Sequence, residues 1–232
     1  MKITSHPSPN FGERRLGATP NLIVLHYTAM TSAKAAIARL CDPEFEVSAH
    51  YLVSPTGKVI QLVNEAQRAW HAGAGSWGEC GEVNSRSIGI ELANDGHSAF
   101  PVSQMKFLEK LLGAVMDRWQ IPPERVIGHS DMAPGRKSDP GPQFDWQRLA
   151  RRGLSVWPRS EDIVPPNDGR ADEFLRFAAA FGYAPNAAPA ALLSAFRQRF
   201  RPRAEGALET IDVALIRDLA TRFPVDQTAP ST

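Results

Sequence analysis

The stretch His129-Ser-Asp-Met-Ala-Pro-Gly-Arg-Lys-Ser-Asp139-Pro-Gly opens on an imidazole and closes on a carboxylate, with Lys137 two residues before that carboxylate. Its internal Pro134-Gly135 predicts a loop rather than a helix. The loop follows Arg125-Val-Ile-Gly, which reads as a strand end, and a loop leaving a strand can aim several polar side chains at one point. A second histidine, His26, sits at the end of the apolar β-prone run Asn21-Leu-Ile-Val-Leu. Neighbouring strands lie ~5 Å apart, so groups at adjacent strand ends can meet on one metal at ~2 Å. Two imidazoles and a carboxylate form a three-ligand set of the catalytic zinc type, with a position left open for water. The expected zinc ligands are therefore His26, His129 and Asp139. Taken alone, either histidine has a plainer alternative as a hydrogen-bonded packing residue.

Two further residues complete a chemistry. Glu91 is the one carboxylate in the apolar run Ser87-Ile-Gly-Ile-Glu-Leu. An unpaired carboxylate in a buried strand is costly, so it either faces solvent on the alternate side of the strand or serves as a general base. Zinc lowers the pKa of water to ~7, within reach of such a base. Lys137 is either a solvated loop cation or a donor to the oxyanion of a tetrahedral intermediate. Metal, base and oxyanion donor together specify hydrolysis of an acyl bond. The pattern leaves ester, peptide and other amide substrates open. Neither an HExxH helix nor a GxSxG elbow is present.

These groups need a frame. Residues 1–20 read as an irregular arm. Strands are expected at 21–27, 47–53, 59–63, 87–92 and 126–127, with Pro55-Thr-Gly57-Lys turning a hairpin between the second and third. Helices are expected at 31–40 and 103–119, the latter with Ser103 as N-cap, and a short one at 144–149. Arg68-Ala-Trp70-His71-Ala-Gly-Ala-Gly-Ser-Trp77 reads as a glycine-rich loop with exposed aromatics. The order predicts an α/β fold, a mixed central β-sheet flanked by helices. Residues 158–171 read as a Pro-rich linker. Beyond it, apolar stripes predict helices at 172–181, 189–200 and 212–223, a small three-helix bundle docked on the larger unit. The tail from Val225 is expected to fray. The predicted domains are thus 1–157, catalytic, and 172–232, helical.

Composition excludes several classes. With a net charge of +1, nothing points to nucleic acid or an anionic membrane surface. Two cysteines, Cys41 and Cys80, make no disulfide framework and lie in no metal-ligand spacing. No run approaches a membrane span, and the first residues lack the pattern of a secretory leader. The expected location is the cytoplasm, with the periplasm or outer membrane as the alternative if a leader is removed.

Five segments together resemble the zinc-dependent N-acetylmuramoyl-L-alanine amidases of type 2, whose fold is shared with phage lysozymes and peptidoglycan recognition proteins. They are Val-Leu-His26-Tyr-Thr, Ser-Ala-His50-Tyr-Leu-Val, Ala-Trp70-His71-Ala-Gly, Asn84-Ser-Arg-Ser-Ile-Gly-Ile-Glu91 and the 129–142 loop, and they cover roughly residues 21–150. The resemblance implies zinc on His26, His129 and Asp139, Glu91 as base and Lys137 on the scissile carbonyl. It implies cleavage between the lactyl group of N-acetylmuramic acid and L-Ala of the stem peptide. Trp70, His71 and Asn84 match family loop positions near the substrate. Asp139 stands where phage-type members have Cys, and Ala49 where they have a catalytic Tyr. Both departures, with Glu91, resemble the bacterial anhydromuropeptide amidases and their outer-membrane relatives. The segment around Ala195-Phe-Arg-Gln-Arg-Phe is similar to a three-helix peptidoglycan-binding module. The expected partners are anhydromuropeptides or peptidoglycan fragments, and the expected role is cell-wall recycling. The rival readings are a peptidoglycan-binding protein that does not cut, a wall-active periplasmic amidase, and an amidase for a non-glycan amide.

Overall fold

The segment Leu22–Tyr27 is buried on both faces, which is why it reads as an unbroken apolar run instead of an alternating one. It lies at the centre of a computed structural model in which residues 1–159 and 171–226 are described. In chain order the elements are β1 (Ile3–Ser5), β2 (Phe11–Gly12), β3 (Leu22–Tyr27), α1 (Ala33–Cys41), β4 (Tyr51–Val53), β5 (Val59–Gln61), β6 (Arg68–Ala69), α2 (Val83–Arg86), β7 (Ser87–Leu92), α3 (Val102–Trp119), β8 (Val126–Gly128), α4 (His129–Met132), α5 (Trp146–Ala150), α6 (Ala171–Phe181), α7 (Pro189–Phe200) and α8 (Thr210–Arg222).

Six strands form one mixed sheet in the order β1-β5-β4-β7-β3-β8. Only the β4–β5 hairpin is antiparallel; every other pairing is parallel. Alternation along β3 and β7 assigns the two faces. Ile23, Leu25, Ile88 and Ile90 meet Leu108, Leu111, Leu112 and Val115 of α3, whose 3.6-residue stripe supplies the partner surface. On the opposite face Leu22, Val24 and Ile127 share a cluster with Phe181, Phe196, Phe200 and Ile216 of the C-terminal helices. Those helices are therefore a layer on the sheet, as two-layer burial requires. α1 is capped by Ser32, whose hydroxyl accepts from the Ala35 amide at 3.1 Å, and it covers Leu52 and Ile60.

Several expectations change. The arm is partly ordered as strand: β1 adds an edge parallel to β5, and β2 pairs with β6. Ser103 does not cap α3, which follows Pro101; its hydroxyl instead donates to the Pro55 carbonyl at 2.5 Å, tying the helix to the hairpin turn. Residues 129–132, expected as loop, form one helical turn, because Pro134 and Gly135 fall after it and not within it. Trp77, expected exposed, is fully buried and sits edge-on to Phe181 and Tyr183 at 5.4 and 5.1 Å. The tail is held at Val225, which is buried and bonds Ala180 and Arg125 through its backbone. The expected linker, apart from 158, 159 and 171, and the tail beyond 226 lie outside the described residues.

The shared cluster carries an expected outcome. Trp77→Ala should cost about 3–5 kcal/mol, measured by urea unfolding. The wild type should unfold in a single transition by tryptophan fluorescence and far-UV dichroism; two separated transitions would contradict the shared core.

Candidate functional site

β3 and β7 run parallel with His26 opposite Glu91, and Leu25 pairs with Gly128 at the end of β8. His129 thus leaves its strand beside His26. The carboxyl ends of three parallel strands meet here, the edge at which open α/β sheets collect ligands. The 129–139 loop is closed by the Ser130 amide, which donates to the Asp139 carbonyl at 2.9 Å. Its two ends thereby adjoin. His26 Nδ1 lies 3.0 Å from His129 Nδ1 and 2.9 Å from Asp139 Oδ2, and His129 Nδ1 lies 3.0 Å from that oxygen. All three residues are buried.

Hydrogen bonds fix which ring nitrogens carry protons. The Ser87 hydroxyl donates to the Val83 carbonyl at 2.6 Å, so at its 3.1 Å contact with His71 Nε2 it can only accept. His71 therefore has its proton on Nε2 and a lone pair on Nδ1. That lone pair, 3.0 Å from His26 Nε2, accepts a hydrogen bond from the His26 Nε2–H. His129 Nε2 donates to the Ala72 carbonyl at 2.8 Å. Both nitrogens that face Asp139, His26 Nδ1 and His129 Nδ1, are left as lone pairs. With Asp139 Oδ2 they make three acceptors converging with no donor among them, a set that a divalent cation satisfies and a single proton does not. Among the described residues, these three are the group of histidine, cysteine and acidic side chains that could hold a metal. Burial, reinforced by His129, pushes His26 down to about 4, so the ring is neutral, as ligation requires.

Glu91 opens to the same cleft, yet its Oε2 is sealed without a hydrogen-bond partner. Burial first, then the Asp139 charge, pushes its carboxyl up to about 8 against the opposing effect of Lys137. A carboxyl poised near neutrality suits proton transfer. The cleft, of about 400 Å³, is lined by these residues, by the exposed Lys137 and by the half-buried Trp70.

The structure brings together His26, His129, Asp139, Glu91, Lys137, Trp70 and His71. His71 touches the cleft but spends both ring nitrogens on His26 and Ser87. Asn84 does not line the cleft. It is buried, and its side-chain carbonyl accepts from the His71 and Ala72 amides at 3.1 and 2.9 Å, holding the loop that carries His71. Sequence reasoning missed Ser87 and Gly89. On β7 the apolar residues 88, 90 and 92 face α3, and Ser87, Gly89 and Glu91 share the other face. A Cβ at Gly89 would stand 2.4 Å from the His71 ring, so glycine there makes the room that His71 occupies. The signal was available in the period-2 alternation of small and polar residues. Arg136 was also missed; it donates to the Ala72 carbonyl at 2.7 Å, the same oxygen that orients His129.

Two outcomes follow from this geometry. Gly89→Ala should displace His71 and weaken metal binding about 10-fold or more, read by chelator competition; unchanged affinity in the folded variant would remove His71 from the site. Burial also pushes His50 down to about 3. The unfolded chain then binds protons that the fold does not as pH falls from about 6.5 towards 3, so stability drops in that window by up to ~1.4 kcal/mol per pH unit for this histidine. Urea midpoints against pH should show a shallower slope in His50→Asn, and an equal slope would exclude His50 as a source.

A family model described as N-acetylmuramoyl-L-alanine amidase matches residues 16–142. The chain is 36% identical over 209 residues to the N-acetylmuramoyl-L-alanine amidase AmiD of Escherichia coli strain K12, covering 78% of this chain and 75% of that protein. It is 33% identical over 160 residues to the 1,6-anhydro-N-acetylmuramyl-L-alanine amidase AmpD of the same strain, covering 62% of this chain and 87% of that one. The solved structure of the E. coli AmiD complex with anhydro-N-acetylmuramic acid-L-Ala-D-γ-Glu-L-Lys superposes with a TM-score of 0.81 at 31% identity, over 94% of this chain and 99% of that one. The chain belongs to the N-acetylmuramoyl-L-alanine amidase family.

Proposed function

We propose that this amidase binds zinc on His26, His129 and Asp139 and hydrolyses the amide between the lactyl carbonyl of 1,6-anhydro-N-acetylmuramic acid and L-Ala. The observation that carries the reading is the convergence of three lone pairs beside Glu91 in an open cleft. Support for the substrate comes from the relative solved with an anhydromuramyl peptide, whose chain aligns with nearly all of this one.

A zinc ion at this donor set supplies a Lewis acid that polarises a carbonyl and makes water acidic near neutrality. The chain's own residues do the rest. Glu91 takes a proton from the attacking water as its oxygen bonds to the lactyl carbonyl carbon. Glu91, whose carboxyl burial raises, would be drawn back towards the carboxylate this step needs by a cation held at the three neighbouring acceptors. Lys137, on the rim, donates to the developing oxyanion. Glu91 returns the proton to the amine of L-Ala as the C–N bond breaks, leaving a muramic carboxylate and a free stem peptide. Trp70 offers a flat apolar wall to the sugar or stem peptide, and His71 and Asn84 act from behind the ligands.

We read residues 1–157 as the catalytic unit and 172–232 as a helical unit of peptidoglycan-binding type, supported by α6, α7 and α8. A recycling role on small muropeptides in the cytoplasm is the first reading of location. No helix among the described residues is long and apolar enough to cross a membrane. The second reading is a periplasmic amidase active on the wall, which the resemblance to the outer-membrane relatives of these amidases leaves open.

Zinc-loaded protein should release free tripeptide from anhydromuramyl-tripeptide, followed by mass spectrometry. Release of stem peptide from intact sacculi as well would favour the second reading, and cleavage of neither would overturn the proposed substrate. Glu91→Gln should keep zinc and lose about 10²–10⁴ in kcat. Lys137→Met should lose about 10²–10³. His129→Ala should lose the metal itself, and full occupancy in that variant would refute the ligand assignment.

A further inference from the structure

Asp131 lies two residues beyond the ligand His129 and is almost wholly buried. Its Oδ2 accepts the Gly128 amide at 2.8 Å, which fixes the chain at the residue just before the ligand. The same oxygen takes Arg199 Nη1 at 2.7 Å, and Oδ1 takes the Tyr183 hydroxyl at 2.9 Å. Both partners come from the C-terminal helical layer, Arg199 from α7 and Tyr183 from the turn after α6. Arg199 reaches further, donating to the Val126 carbonyl of β8 at 3.0 Å and to Ser155 Oγ at 3.1 Å, with its guanidinium stacked 4.3 Å from the Trp146 ring. A Cβ at Gly128 would meet Pro140 at 2.8 Å, so the returning end of the loop, next to Asp139, packs on the same residue.

The apolar cluster already docks these helices on the sheet. A buried ion pair adds little net stability over apolar packing of the same shape, because both charges lose their hydration. What it adds is geometry. Each carboxylate oxygen and two of the guanidinium nitrogens are committed to fixed partners on β8, α4 or the helical layer.

We propose that Arg199 and Tyr183 are positioning residues: through Asp131 they hold Gly128 and His129 where the ligand nitrogen meets His26 and Asp139. The C-terminal helices are on this account a structural part of the metal site and not only an appended binding module. The inference rests on the metal reading above for its affinity arm and on the fold alone for its exchange arm.

The test uses the full chain and zinc itself. Tyr183→Phe, Arg199→Met and Arg199→Lys are compared with wild type by chelator competition, by kcat and KM on anhydromuramyl-tripeptide, and by amide exchange at Gly128 in the zinc-free protein. Tyr183→Phe should weaken zinc about 10-fold and Arg199→Met towards 100-fold. kcat should fall while KM stays within about twofold, exchange at Gly128 should accelerate, and Arg199→Lys should recover part of the loss. Arg217→Met, which removes a pair with Glu173 inside the bundle, should bind zinc as wild type does; an equal loss there would reduce the effect to general destabilisation and overturn the proposal. Wild-type affinity and Gly128 exchange in folded Tyr183→Phe would also overturn it, and this variant decides if Arg199→Met fails to fold. A wild type that binds no zinc would sink the metal reading instead, leaving the exchange result to judge the positioning.

Discussion

Two imidazole nitrogens and a carboxylate oxygen, each presenting a lone pair, repel one another at the 2.9–3.0 Å that separates them here. Holding them together costs free energy that the rest of the fold must offset. Each is fixed from behind: His26 by His71 and Ser87, His129 by the Ala72 carbonyl, and Asp139 by the return of its loop onto Ser130. A divalent cation would turn the mutual repulsion into attraction, and on the proposed reading the arrangement is a receptor prepared in advance. Preorganisation of this kind is what outer-shell partners supply in metal sites.

Strand β7 shows how one short segment serves two demands. Its apolar face packs on α3 and contributes to the core. Its other face carries the serine that sets a tautomer, the glycine that admits an imidazole ring and the glutamate that faces the cleft. A one-residue slip would exchange these faces and destroy core and site together. The parallel pairing that places His26 opposite Glu91 is therefore both a folding constraint and the one that brings these two side chains to the same cleft.

Much of this was legible in the sequence. The residues that the structure gathers at one cleft, His26, His129, Asp139, Glu91 and Lys137, could be singled out because each is a polar residue out of place in an apolar run or fixed by a Pro-Gly loop. The strands bearing them, the hairpin and α3 emerged from periodicity. What was not legible depends on partners distant in sequence. Trp77 looked like a loop aromatic because its covering residues, Phe181 and Tyr183, lie about 100 positions away. β1 looked irregular because a three-residue edge strand owes its form to β5. Asn84 matched a position near substrate, but its amide is committed to backbone groups that only the folded loop presents. Arg199 lies in the segment that resembles a peptidoglycan-binding module, and its role in the layer is not legible because its partners Asp131 and Val126 lie about 70 positions away.

A hydrogen-bond relay sets the protonation of three histidines so that two Nδ1 lone pairs converge with Asp139 on the proposed metal position. Long-range ¹H–¹⁵N correlation spectra of the histidine rings, in zinc-free and zinc-loaded protein at neutral pH, test it directly. His26, His71 and His129 should each carry the proton on Nε2 in both states, with zinc shifting Nδ1 of His26 and His129 but not of His71. A proton on Nδ1 of His26 or His129 in the loaded protein, or zinc on their Nε2 atoms, would contradict it.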